Sequence, residues 1–311
     1  MNAVFPVDLT TLPVAPSLHW SEEFGAWLHE NGRKPLTISA YLQDMRHYFH
    51  YFGELSAVNV KAYFAMQDVD NTVKPSSRNR RLASMRVFVQ WAVEAGLMDA
   101  DSTVGVKRVD VELSPRDRTA DEMSALDEVA VNGSHLKCET LAHGLLGMRD
   151  ALMWNLFKDA GLRISEIAGL QVSDVDLDGN VIHVLGKGGK KADVIIPQRL
   201  VDVIASWIKL MPASVDGNLV VDWKGHGIGR GQIWRRLKLM GEKAGVKDLK
   251  PHDVRHTYVY STIDAALRQG VDLPVAMDVA RKQSRHGDVR TTMKFYLHAR
   301  VSQVRAVAEA R

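Results

Sequence analysis

The stretch Gln171–Gln198, "QVSDVDLDGNVIHVLGKGGKKADVIIPQ", departs from the helical pattern that dominates this 311-residue chain. Two short runs within it, "VIHVL" at 181–185 and "DVIIP" at 193–197, are rich in β-branched residues, which suit a pleated surface. Asp178-Gly179-Asn180 precedes the first run and a Gly-Lys-Gly-Gly run separates it from the second; both are turn chemistry. A small antiparallel sheet is expected here. The sequence around it reads as helix, so the expected fold class is mainly α with a small antiparallel β-sheet in the second of two domains.

Two domains are expected because the length exceeds that of one compact domain. Residues 1–16, "MNAVFPVDLTTLPVAP", are rich in Pro and Thr without periodicity and read as an extended N-terminal arm. They lack the basic start and apolar core of a secretory signal, and no apolar run approaches the roughly 18 residues that cross a bilayer, so a cytoplasmic protein is expected. Residues 17–105 read as a small helical domain. "SLHWSEEFGAWLHENG" ends in an Asn-Gly stop; "LTISAYLQDMRHYFHYFGE" places Ile38, Tyr41, Met45, Tyr48 and Phe52 at helical spacing behind Thr37 as cap. "SSRNRRLASMRVFVQWAVEAGL" reads as a helix capped by Ser76 or Ser77 and stopped at Gly96. Its inward stripe is Leu82, Met85, Val89 and Val93, which leaves Arg78, Arg81 and Arg86 to face outward. Residues 106–118 lack an apolar period, contain a Ser-Pro break and read as a linker. Thr119 with Glu122 forms a capping box, which restarts helix and opens a second domain over 119–311.

The net charge of +3, from 40 basic and 37 acidic residues, says less than where the charges lie. Lys74, Arg78, Arg80, Arg81 and Arg86 fall in a segment without an acidic residue. Lys224, Arg230, Arg235, Arg236, Lys238, Lys243, Lys247 and Lys250 face only Glu242 and Asp248. Such clusters fit a polyanion, and solvated helix faces share the pattern. The single cysteine, Cys138, cannot form an intramolecular disulfide and reads as a small buried hydrophobe.

Four polar clusters in the second domain carry chemistry. "GLRISEIAGL" sets Arg163 in an apolar surround, where an unpaired guanidinium is costly, with Glu166 placed to orient it. A purely structural Arg-Glu pair reads the same way. "GKGGKK" carries Lys187 at the hairpin tip; it lacks the spacing of a phosphate-binding P-loop. "PHDVRHTY" puts His252 and Arg255 on one helical face, an arrangement suited to gripping a phosphodiester. "SRHGDVRTTMKFYLHAR" holds His286, Phe295 and Tyr296. Two arginines, two histidines, a lysine and a tyrosine, without an acidic cluster suited to Mg²⁺, point to phosphoryl transfer that needs no metal and no other cofactor.

Taken together, "GLRISEIAGL", "LGKGGKKADVIIP", "PHDVRHT" and "RHGDVRTTMKFY" resemble the tyrosine recombinases, also called phage integrase family enzymes, across nearly the whole chain. The resemblance implies a two-domain DNA clamp: a core-binding domain followed by a catalytic domain. It implies that Arg163 and Arg255 clamp the scissile phosphate and that His252 and His286 bond it. It further implies that Lys187 protonates the departing 5′-oxygen, Glu166 supports the arginine and the lysine, and Tyr296 attacks to leave a 3′-phosphotyrosine. Double-stranded DNA is the implied partner, a homotetramer the implied assembly, and Arg78, Arg80, Arg81, Arg86, Lys224, Arg230, Arg235 and Arg236 the implied DNA contacts. Two departures stand out. The family's tyrosine follows the last histidine by nine positions, where this chain has Phe295, with Tyr296 one further on; and Arg285 stands where glycine usually precedes that histidine. A type IB topoisomerase-like enzyme and a catalytically blocked DNA-binding relative are the alternative readings.

Overall fold

In a computed structural model, the described residues are 19–70, 72–111, 118–132, 141–185, 191–285, 287–293, 296–297 and 308, with side chains of the helix that begins at 141 described from 144 onward. The chain divides into two units, Met1–Leu113 and Ser114–Arg311. No helix among the described residues is long and apolar enough to cross a membrane.

Among the described residues the first unit holds four helices: α1 (Trp20–Glu30), α2 (Pro35–Tyr51), α3 (Ala57–Val69) and α4 (Pro75–Glu94). Both long helices start on a proline at the first helical position, after Lys34 and Lys74 in extended conformation. A proline forces that extended geometry on its predecessor and loses nothing by lacking an N–H there. Thr37, Ser76 and Ser77 are therefore not the caps expected of them; they lie inside the first turns. Gly32 and Gly96, both at φ +69, end α1 and α4 as expected. The core is aromatic, with Phe24, Tyr48, Tyr63, Phe64 and Phe88 closed around Leu28, Met45, Leu82, Met85 and Val89. Val93, expected inward, is 38% exposed.

Arg78 also overturns its expectation. It is 5% exposed and donates to Asp68 through Nε at 2.7 Å and Nη2 at 3.0 Å, and to the Lys107 carbonyl at 2.6 Å. The reason lies in helical spacing: Arg78, Leu82, Met85 and Val89 form one stripe, so the face that buries the apolar residues also buries Arg78. Asn79 and Arg86 extend the attachment, exchanging hydrogen bonds with the Val109 backbone and donating to the Val106 carbonyl. Residues 106–109 are thus fastened to α4.

The second unit runs α5 (Ala120–Asn132), α6 (Leu141–Lys158), α7 (Ile164–Ala168), β1 (Val175–Asp176), β2 (Val181–Leu185), β3 (Lys191–Ile195), α8 (Gln198–Leu210), α9 (Arg230–Lys243), α10 (Pro251–Arg268) and α11 (Leu273–Gln283). Its opening capping box forms: Glu122 N–H donates to Thr119 Oγ1 at 3.1 Å, and Thr119 N–H to Glu122 Oε2 at 3.0 Å. The strands make one antiparallel sheet in the order β1-β2-β3, with Ile182 opposite Val194 and His183 opposite Asp193. Alternation puts Ile182, Val184 and Val194 into the core and leaves Leu185 and Ile195 exposed. Asn180, at φ +55, supplies the left-handed turn before β2. The core gathers Trp154, Leu156 and Phe157 of α6 with Ile204 and Trp207 of α8. Each buried aliphatic or aromatic side chain contributes about 1.5–3 kcal/mol.

Candidate active site

The site is built where the end of α6, the first turn of α10 and the end of α11 meet the start of α7. After α6 the chain turns at Gly161, whose φ is +55. A Cβ there would stand 2.2 Å from Cδ1 of Tyr258, so the turn requires glycine. Leu162 is fully buried, and Arg163, in extended conformation, is the residue from which α7 starts. Glu166 closes that start: Oε2 accepts the Arg163 backbone N–H at 2.7 Å, and Oε1 accepts Arg163 Nη1 at 2.8 Å. The expected pairing of Arg163 and Glu166 is present. The carboxylate side chain is 5% exposed and the guanidinium side chain 30%, so the arginine still faces outward in part.

The first turn of α10 is held from outside the helix. Arg118, 8% exposed, donates to Asp253 Oδ2 at 2.6 Å and to the Asp248 carbonyl at 2.9 Å, and its N–H donates to Thr257 Oγ1 at 2.9 Å. Asp253 also accepts the Lys250 N–H at 3.2 Å. The turn so fixed carries His252 and Arg255. His252 is exposed, with its ring centroid 6.3 Å from that of His256. Local packing and the charges of Arg255 and Arg163 hold its pKa below the ordinary 6.5, against a smaller pull from Asp253. The ring is therefore neutral at pH 7 and able to accept a proton.

Arg255 is 3% exposed and donates to the carbonyls of Gly161 and Ser284. Burial, then the neighbouring charges of Arg285 and Arg163, pull its pKa down to about 9. Three guanidinia share this space with one carboxylate. Burial alone would raise the carboxyl of Glu166, but the charge of Arg285 and the bonds from Arg163 and Arg285 outweigh it and hold the group below its usual range.

Sequence reasoning gave Arg285 no role. In the structure it adopts φ +54, a conformation that costs a residue with a β-carbon about 1–2 kcal/mol. Its guanidinium meets Glu166, with Nη2 to Oε2 at 2.6 Å, and both side chains are 5% exposed. The available signal was negative: an arginine in a position suited to glycine needs a reason to be there.

Tyr296 lies away from solvent. It is 6% exposed, packs with Tyr258, Val259, Ile263, Ala276, Met277 and Ala280, and stacks on Tyr260 at 6.2 Å between centroids. Lys187, His286 and Phe295 lie outside the described residues, as does Cys138.

Comparison with known proteins places the chain in a family. Residues 136–303 match the phage integrase family, and residues 22–96 match the phage integrase N-terminal SAM-like domain. The chain belongs to the phage integrase family. It is a tyrosine recombinase by sequence along nearly its whole length. Tyrosine recombinase XerC of Mycobacterium bovis (strain BCG / Pasteur 1173P2) is 28% identical over 313 residues, covering 93% of this chain and 96% of the relative. XerC of Mycobacterium sp. (strain KMS) is 26% identical over 298 residues, covering 89% and 93%. Among solved structures, a lambda integrase dimer bound to a COC′ core site aligns with a TM-score of 0.68 at 13% identity, over 92% of this chain and 77% of that one. XerH site-specific recombinase bound to a palindromic difH substrate gives 0.68 at 14%, over 93% and 85%. A lambda integrase tetramer bound to a Holliday junction gives 0.67 at 14%, over 92% and 78%. At such identities these structures establish a shared fold.

The basic residues of this recombinase fall into two groups. Lys224, Arg230 and Arg235 are exposed, with Lys224 Nζ 4.8 Å above the ring of Trp223. Others are tied to protein. Arg236 binds Asp150, which is fully buried, at 2.6 Å; Arg80 binds Asp44; Arg81 donates to Gln67 at 2.9 Å. Arg86 is exposed despite its bond to Val106, whereas Arg78 has no surface to offer.

Proposed function

We propose that this chain is a site-specific DNA recombinase that cuts and rejoins strands through a 3′-phosphotyrosine and a four-way junction, using neither metal nor ATP. The observation that carries the reading is that Arg163 and Arg255 are anchored on the carbonyls of Arg285, Gly161 and Ser284, while the charges of both hold the His252 pKa below its ordinary value. Guanidinia so fixed stabilise the charge that builds on the non-bridging oxygens of a phosphodiester, and need no reorganisation as it builds. His252 bonds the phosphate and accepts the phenolic proton. The Tyr296 oxygen attacks phosphorus, the bond to the 5′-oxygen breaks, and Lys187 supplies that oxygen's proton, with His286 bonding the phosphate. A 5′-hydroxyl of the partner duplex then attacks the phosphotyrosine and restores the phenol, so no high-energy co-reactant is consumed.

The assembly in this reading is a homotetramer on two duplexes, by analogy with the lambda integrase tetramer on a Holliday junction. Domain limits near 17–105 and 119–311 belong to the same reading, with Arg80, Arg81, Arg86, Lys224, Arg230, Arg235 and Arg236 as backbone contacts. Attack by Tyr296 requires its ring to leave the apolar seat against Tyr260.

The test is trapping. The full chain is incubated with a pool of nicked duplexes of randomised sequence; denaturation-stable adducts are collected, their DNA sequenced and the attached peptide mapped by mass. The expected result is one enriched duplex joined through Tyr296. Tight, selective binding without an adduct would overturn the enzyme reading in favour of a blocked DNA-binding relative. An adduct on any other residue would overturn the assignment of Tyr296.

A further inference from the structure

Arg285 has no part in the chemistry just described, yet it touches every fixed end of the two guanidinia that do. Its side chain bonds Glu166 twice, Nη2 to Oε2 at 2.6 Å and Nε to Oε1 at 3.3 Å. It also donates to the Gly161 carbonyl at 3.2 Å and to the Gln283 carbonyl at 2.7 Å. The Gly161 carbonyl is the one that also accepts Arg255 Nη1. The backbone of the same segment is gripped in return: the Arg285 carbonyl accepts Arg163 Nη2 at 3.3 Å, and the Ser284 carbonyl accepts Arg255 Nη2. Residues 284 and 285 together therefore link the start of α7, the turn after α6, α10 and the end of α11.

Charge sets the direction of the effect. Glu166 is shared between Arg163 and Arg285, so Arg285 takes part of the carboxylate's field that Arg163 would otherwise absorb. Each guanidinium nitrogen of Arg285 already donates to protein, Nε and Nη2 to Glu166, Nη1 to the Gln283 carbonyl and Nη2 also to the Gly161 carbonyl, so Arg285 acts through its neighbours. The backbone is held at φ +54, where glycine would be at ease, so the side chain's bonds maintain this residue against its own conformational preference.

We propose that Arg285 is a positioning residue of the site: it holds Glu166 and the Ser284–Arg285 turn so that Arg163 and Arg255 present their free donors to one phosphate group. The identity of that phosphate as DNA rests on the recombinase reading above; the positioning does not.

The test uses the full chain with Arg285→Gly, Arg285→Lys, Glu166→Gln and the double variant Arg285→Gly/Glu166→Gln. Glycine suits the left-handed backbone, and thermal unfolding checks that each variant is folded. The first probe is inorganic tungstate, a phosphate mimic, titrated calorimetrically, which needs neither DNA nor a working tyrosine. Arg285→Gly should bind it about 10-fold more weakly or worse, the range found when residues that orient primary ligands are removed, and Arg285→Lys should recover part of the loss. The second probe is single-turnover cleavage of the duplex recovered by trapping. Arg285→Gly should slow it about 10–100-fold while duplex affinity changes less than about 3-fold. In the Glu166→Gln background the same change should add less than about 3-fold, because the two residues act as one unit.

Wild-type tungstate affinity and cleavage in Arg285→Gly would overturn the proposal. So would an equal loss of rate and duplex affinity, full multiplication with Glu166→Gln, or a wild-type chain that binds no tungstate. Tungstate binding that depends on Arg285, without any adduct, sinks the recombinase reading and leaves the positioning role standing; an adduct indifferent to Arg285 does the reverse.

Discussion

Replacing Gly161 by alanine should damage the second unit more than any other single methyl addition near the site. The added Cβ meets Cδ1, Cε1 and Cγ of Tyr258 at 2.2, 2.6 and 2.8 Å. That ring is 9% exposed and packed among Val259, Ile263 and Met277, so it has no open space into which to retreat. The left-handed backbone costs about 1–2 kcal/mol and overpacking about 1–3 kcal/mol more, together about 2–5 kcal/mol. At roughly 2–4 °C per kcal/mol for a unit of this size, its melting midpoint should fall by roughly 10 °C. Thermal unfolding followed by far-ultraviolet circular dichroism measures it. Gly144→Ala is the control: it sits in α6, nothing lies within 4 Å of its added Cβ, and alanine should be neutral or stabilising by up to about 1 kcal/mol. A Gly161→Ala midpoint within about 2 °C of the parent would refute the reasoning, since neither the backbone nor the ring contact would then be as described.

Other outcomes follow from the same contacts. Arg163→Ala and Arg255→Ala should abolish adduct formation yet leave most duplex affinity in a mobility-shift titration; equal loss of binding would contradict their role as a transition-state clamp. Arg78→Ala should destabilise the first unit by roughly 2–3 kcal/mol through the loss of charged hydrogen bonds, and leave the salt dependence of DNA binding unchanged. Arg230→Ala, at an exposed position, should instead lower that salt slope by about one unit. His252 is held below its ordinary 6.5 in the folded chain. As pH falls through the window between its folded and ordinary values, the unfolded chain takes the proton first and this site's contribution to stability declines; above the window it contributes nothing. Nuclear magnetic resonance of the ring should place its midpoint below 6.5 and show it rising in Arg163→Ala; a midpoint at or above 6.5 in the parent would contradict the account.

Local rules carried much of this far. The β2–β3 hairpin, the Thr119–Glu122 box and the Arg163–Glu166 pair were legible because each depends on residues close in sequence or on one strand period. Where a serine or threonine stands near a proline, as after Pro35 and Pro75, the proline's fixed φ and not the hydroxyl sets the helix start. Arg78 shares the stripe of Leu82, Met85 and Val89, so position outweighs charge there, and the partners that make its burial tolerable, Asp68 and the Lys107 carbonyl, lie 10 and 29 residues away. Arg285 and the Tyr260–Tyr296 stack were beyond reach for a different reason. Both join segments far apart in the chain, so the sequence can mark Arg285 as out of place but does not say which residues it or Tyr296 meets. The one-residue displacement of Tyr296 from the family's spacing is visible in sequence, but where its ring rests depends on α10 and α11 packing together.

Arg118 has a practical consequence for anyone dissecting this protein. The helical pattern of the second unit resumes at Thr119, an inviting place to begin a catalytic fragment. A chain cut there would lack the guanidinium that ties Asp253 and the Asp248 carbonyl beneath the first turn of α10. Asp253, whose side chain is 8% exposed, would be left as a buried charge without its cation, a defect of about 3–5 kcal/mol placed directly under His252 and Arg255. A fragment begun one residue too late would therefore fold poorly or lose activity for reasons unrelated to the missing first unit, and a boundary at or before Ser114 avoids that artefact.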